Sequence, residues 1–141
     1  MKLGHKATDP LRLLIGVLAE LGVEFKRKHL DVGDRYLGIN LHKMELPKLA
    51  SLAEPDGAIA GWFGYESKPT EGPRLSIWLY CGRSSAIKRR AHERIKHALL
   101  SAGFDEAILQ EDGSAIGVFC KAEDSHGDKE WFNSVLAALN N

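Results

Sequence analysis

Cysteine is scarce in this chain, with only Cys81 and Cys120 among 141 residues. Two such residues form neither a disulfide framework nor a C-x-x-C pair. Each falls in a predicted strand, where a free thiol behaves as a small apolar side chain. That usage points to a reducing, cytoplasmic setting. Long hydrophobic runs are also missing. The stretch from Leu11 to Leu21 is too short to span a bilayer, follows Asp9-Pro10 and is interrupted by Arg12 and Glu20. Neither a membrane span nor a leader is expected from it. A surplus of charge is absent, since 19 Lys and Arg balance 19 Asp and Glu. Metal and nucleotide signatures are absent as well. There is no H-E-x-x-H, no Cys/His zinc spacing and no G-x-S-x-G, and Gly57, Gly61 and Gly64 are not followed by Gly-Lys-Ser or Gly-Lys-Thr. No cofactor and no metal are therefore expected, and an enzyme is disfavoured without being excluded, because catalytic groups can be gathered from distant positions.

The composition that is present suits one ordinary domain spanning 1–141. Hydrophobic residues make up 44% and charged residues 27%, both near globular averages. A chain of this length buries roughly two thirds of its unfolded surface and needs no disulfide or metal to fold. Charge is unevenly spread: the first hundred residues carry 17 basic and 11 acidic side chains, the last forty-one carry 2 and 8.

Turn signals divide the chain into short elements. Asp9-Pro10 and Gly22 bracket an apolar helix, Pro10 to Leu21. Val23 to Leu30 and Tyr36 to His42 read as strands, with Asp31-Val32-Gly33-Asp34 as their hairpin loop. A short helix is expected from Pro47 to Ala53, then a turn at Pro55-Asp56-Gly57. Ala58 to Glu66 and Arg74 to Cys81 read as a second strand pair around the loop Ser67 to Pro73. If that loop closes symmetrically, Phe63 faces Ile77, Gly61 faces Leu79 and Tyr65 faces Leu75 on one side of the sheet. Trp62 then faces Trp78, and Ala60 faces Tyr80, on the other side. A long helix follows from Ser85 to Ala102, capped by Ser84 and Gly103. A hairpin comes next, Ala107 to Gln110 with Ala115 to Lys121, turning at Asp112-Gly113. Asp128 caps a last helix from Lys129 to Leu139. The predicted class is α+β: a single antiparallel or mixed sheet of about five to six strands, with three main helices packed largely on one face, in the order α-β-β-(short α)-β-β-α-β-β-α.

Two surfaces could carry function. Trp62, Trp78 and Tyr80 share one sheet face and could form a protein-binding surface, or a second core layer or dimer contact. If the face binds a partner, Trp62→Ala or Trp78→Ala should weaken binding while the domain stays folded. Arg83, Lys88, Arg89, Arg90, Arg94 and Lys96 cluster on the long helix, with His92 and His97 and only Glu93 opposing. That face could contact nucleic-acid phosphates, or could be a solvated face neutralised by the acidic tail. The histidines are otherwise scattered at His5, His29, His42 and His126. Asp31, Asp34 and Glu45 lie close in sequence, the first two reading as ordinary loop residues.

The Leu13-Leu14, Leu18-Ala19 and Leu21-Gly22 pattern opens a run of strands, middle helix, two-stranded hairpin and last helix. That order resembles the architecture of class I type III secretion chaperones. The sequence departs from them by an extra strand, an extra short helix and its lack of overall acidity. The leading expectation is a non-enzymatic protein-binding module (a regulator, inhibitor or chaperone-like domain), with a homodimer as one form it could take, using the aromatic face. Nucleic-acid binding through the basic helix is the alternative, and an enzyme with an unrecognised site the third.

Overall fold

A computed structural model describes residues 8–41, 60–68, 72–80, 85–105, 109–112, 115–122 and 127–140. The elements are helix α1 (Thr8–Glu20), a 3-10 turn (Arg27–His29), strands β1 (Leu30–Gly33), β2 (Tyr36–Leu41), β3 (Ala60–Lys68) and β4 (Gly72–Tyr80), helix α2 (Ser85–Ser101), strands β5 (Leu109–Asp112) and β6 (Ala115–Lys121), and helix α3 (Asp128–Asn140). The class is α+β. All six strands form one antiparallel sheet in the order β1-β2-β3-β4-β6-β5. The expected short helix at Pro47 to Ala53 and the turn at Pro55-Asp56-Gly57 lie outside the described residues.

The period-2 alternation of each strand sorts its side chains onto two faces. Across four strands, Ile39, Phe63, Ile77 and Val118 form one row. Leu41, Leu79 and Ile116 continue that face on one side, Tyr65 and Leu75 on the other. The three helices cover it. Leu14, Val17 and Leu18 of α1, Ile95 and Leu99 of α2, and Phe132, Val135, Leu136 and Leu139 of α3 are buried with it in a single core. Phe132 is central, with its ring edge-on to Phe63 and Tyr65, both at 5.6 Å between centroids. Each such side chain contributes roughly 1.5–3 kcal/mol on burial.

The central hairpin has the register expected from its loop. Phe63 faces Ile77, Tyr65 faces Leu75, Trp62 faces Trp78 and Ala60 faces Tyr80. Both strands run further than the sequence implied, through Ser67 opposite Pro73 to Lys68 opposite Gly72. Pro73 lacks an amide hydrogen but sits next to the strand start, where a missing donor is tolerated.

The first hairpin is corrected. Asp31, Val32 and Gly33 are strand rather than loop, and the turn is the two residues Asp34 and Arg35, with Gly33 opposite Tyr36. The segment before it is not a strand. The Val23 amide returns to the Leu18 carbonyl and so caps α1. The Lys26 amide donates to Nδ1 of the buried His29. These local bonds use donors that a strand ladder would need. In the last hairpin Asp112 is strand and faces Ala115, and the rest of the turn expected at Asp112-Gly113 lies outside the described residues. At the other helix ends, α1 begins at Thr8, and Gly103, with φ +93°, follows the last turn of α2. Asp128 begins α3, and its carboxylate accepts a hydrogen bond from the Tyr65 hydroxyl at 3.1 Å. No helix among the described residues is long and apolar enough to cross a membrane.

Candidate functional site

The sheet face turned away from the helices carries Tyr80 opposite Ala115 toward one end and three further rows read off the same register. Asn40, Trp62, Trp78 and Gly117 form one, Gly38, Gly64, Ser76 and Phe119 the next, and Tyr36, Glu66, Arg74 and Lys121 the third. Large rings alternate with glycines. A β-carbon on Gly38 would stand 2.2 Å from Cε2 and Cζ2 of Trp62, and one on Gly117 would stand 2.4 Å from Cζ of Phe119. The rings therefore lie flat on neighbouring backbone instead of projecting. Trp62 is only 6% exposed as a result. Tyr36 meets Trp62 edge-on at 6.2 Å, and Trp78 meets Phe119 edge-on at 4.9 Å, the arrangement that ring quadrupoles favour.

A polar network fixes this layer. Oε1 of Glu66 accepts from Nε of Arg74 at 2.9 Å, from Oγ of Ser76 at 2.6 Å and from Nε1 of Trp78 at 3.2 Å. Glu66 and Arg74 are both largely buried. The Arg74 guanidinium also lies 3.7 Å above the Phe119 ring centre. One cation is thus held between a carboxylate and an aromatic face, a geometry that suits a planar, weakly hydrated guanidinium. Nε1 of Trp62, by contrast, is buried without a hydrogen-bond partner among the described residues. An unmet donor of that kind costs about 1–3 kcal/mol.

Beside the network lies a pocket of about 180 Å³ lined by Asp31, Tyr36, Trp62, Glu66, Trp78 and Tyr80. Tyr36 and Tyr80 are the exposed aromatics of this face, at 38% and 43%. Partial burial raises the Tyr80 hydroxyl above its ordinary pKa, and the nearby carboxylates of Glu66 and Asp31 raise it further. The phenol thus stays neutral and available to donate.

Trp62, Trp78 and Tyr80, picked out from the sequence, all line this pocket. Their roles differ, since Trp62 is part of the floor whereas Tyr80 is open. Asp31, Tyr36, Glu66 and Arg74 were not picked out. Asp31 read as a loop residue, but it is a strand residue on the wall of the pocket. A signal for Glu66 and Arg74 was present, because the register that places Trp62 opposite Trp78 places Glu66 opposite Arg74.

The basic residues are placed on α2. Arg89, Arg90 and Arg94 are exposed and Lys96 is half-buried. Arg83 and the Lys88 side chain lie outside what the structure describes. Next to Arg94 is a shallow groove between α2 and the end of α3, lined also by Glu93, His97 and Ala138, so its charge is mixed. Cys120 is half-buried in β6, and Cys81 lies outside the described residues. Among the described residues no three His, Cys, Asp or Glu side chains stand together as a metal site. No protein-family model matches the chain, and neither a curated protein nor a solved structure matches it.

Proposed function

We propose that this chain is a non-enzymatic protein-binding module whose contact surface is the open sheet face around Tyr36, Trp62, Trp78 and Tyr80. The observation that carries the reading is the construction of that face. Its rings rest on glycines and its polar groups converge on Glu66, which leaves Tyr36 and Tyr80 exposed on a rigid base. Rigid tyrosines and tryptophans give large contact area at low entropic cost and dominate binding energy at protein interfaces. Placement on strands rather than loops keeps the surface pre-organised.

The test is selection of displayed random peptides on immobilised protein, with counter-screening on a Tyr36→Ser/Tyr80→Ser double variant. Enrichment on the native protein that is lost on the variant supports the reading. Enrichment retained by the variant, or no enrichment, overturns it. The competing surface is the basic helix α2, which would give oligonucleotide binding that falls steeply with salt. Loss of such binding on reversing Arg89, Arg90 and Arg94 to Glu would replace the aromatic face with that helix.

A further inference from the structure

We infer that the pocket between Tyr36 and Tyr80 receives an arginine side chain of the partner protein. The inference rests on the protein-binding reading and gives it a chemistry. Four aromatic rings and two carboxylates, Asp31 and Glu66, line the pocket, and among the described residues no lysine or arginine does. Arg74 engages Glu66 from the Phe119 side of the face, so it offsets one of the two negative charges and leaves the other. An electron-rich wall with a surplus carboxylate favours a cation, and it favours a weakly hydrated one most. The pocket is far smaller than the roughly 300–1,000 Å³ of sites that enclose a drug-sized ligand. At about 180 Å³ it accommodates a single head group, as expected when the rest of the partner lies across the open sheet.

The face already contains a working example of the same chemistry. Arg74 is held by a Phe119 ring and a Glu66 oxygen within the protein itself. The neighbouring pocket repeats those elements with Trp62, Trp78, Tyr36 and Tyr80 as rings and Asp31 as the second carboxylate. In it the guanidinium stacks on a ring and donates to Asp31. A neutral head group of the same shape lacks both gains.

The experiment uses the ¹⁵N-labelled full chain and two capped peptides, Gly-Gly-Arg-Gly-Gly and the same peptide with citrulline in place of arginine. The protein contains three tryptophans. Trp62 and Trp78 line the pocket, whereas Trp131 packs against Phe132 on the helical side and serves as an internal control. The arginine peptide is expected to shift the Trp62 and Trp78 indole resonances saturably at millimolar concentration and to leave Trp131 in place. The citrulline peptide should bind roughly tenfold more weakly, as should the arginine peptide to Asp31→Asn or Tyr80→Ala. Equal binding of the two peptides, or indole resonances that do not move, overturns the inference. Dispersed spectra of the variants confirm that they are folded, and Tyr80, being exposed, keeps the test valid if Asp31→Asn does not fold. The two proposals can fail separately. Displayed peptides that need Tyr36 and Tyr80 but carry no arginine, and bind Asp31→Asn as well as the native protein, would leave the protein-binding face standing and remove the arginine.

Discussion

The indole of Trp62 lies across Gly38, with two ring atoms 2.2 Å from the position a β-carbon would take there. A residue that looks like a surface aromatic is thereby converted into a floor. The remaining groups of the face, Tyr36 on one side and Trp78 on the other, are placed by that floor.

Gly38→Ala is therefore expected to destabilise the protein by about 1–3 kcal/mol, the usual cost of overpacking a filled site. The methyl group must displace the indole, so native tryptophan emission should move to longer wavelength. Urea denaturation followed by fluorescence checks both effects. An unchanged midpoint and spectrum would mean that the ring does not rest on Gly38.

Glu66 is the acceptor for three donors, and Arg74 depends on it for charge compensation. Glu66→Gln keeps the shape and removes the charge. A loss of about 1.5–3 kcal/mol is expected, the range for a hydrogen bond to a charged group. Because the pair is largely buried, the loss should persist at high salt. Chemical denaturation at two ionic strengths measures it.

Tyr65 and Tyr80 predict an alkaline limit to stability. Burial of Tyr65 and the adjacent Asp128 carboxylate push its phenol well above 10.0, and Tyr80 is raised in the same direction. A raised folded pKa means that folding favours the neutral phenol. The stabilisation is complete below about pH 10, where the unfolded tyrosine is also neutral, and is lost as pH climbs toward the folded value. Denaturation midpoints should fall above pH 10, and Tyr65→Phe should fall less steeply. Below that pH the same variant should lose about 1 kcal/mol, for the hydrogen bond to Asp128.

The two faces of the sheet should respond differently to truncation. Phe132 is fully buried against Phe63 and Tyr65, and Phe132→Ala should cost about 3–5 kcal/mol. Tyr80→Ala removes a side chain that is 43% exposed and should change stability by less than about 1 kcal/mol. Thermal unfolding of the two variants separates a core position from a contact position. Trp62→Ala belongs with the first, so it is a poor probe of binding despite its position on the open face.

Much of this architecture was legible along the chain. Alternation in β2, β3 and β4, the cap at Gly103 and the apolar stripes of α1, α2 and α3 are local patterns. They set the α+β class, the helical layer and the register that pairs Trp62 with Trp78, since a one-residue slip would carry Phe63 and Ile77 out of the core. Where the sequence misled, a partner distant in the chain was responsible. Asp31 and Gly33 look like turn residues, yet pairing with Gly38 and Tyr36 makes them strand. Likewise, nothing local around Asp128 announces that its carboxylate also accepts from Tyr65, far away in sequence. The site shows the same division. Sequence determined which side chains share a face, because period-2 geometry follows from the backbone alone. Tertiary structure decided that Trp62 is floor and Tyr80 is rim, that Glu66 binds three donors and that Asp31 meets them at one pocket. Those outcomes depend on which strands become neighbours and how far each ring can lie over a glycine, and neither is encoded in the spacing of residues along one strand.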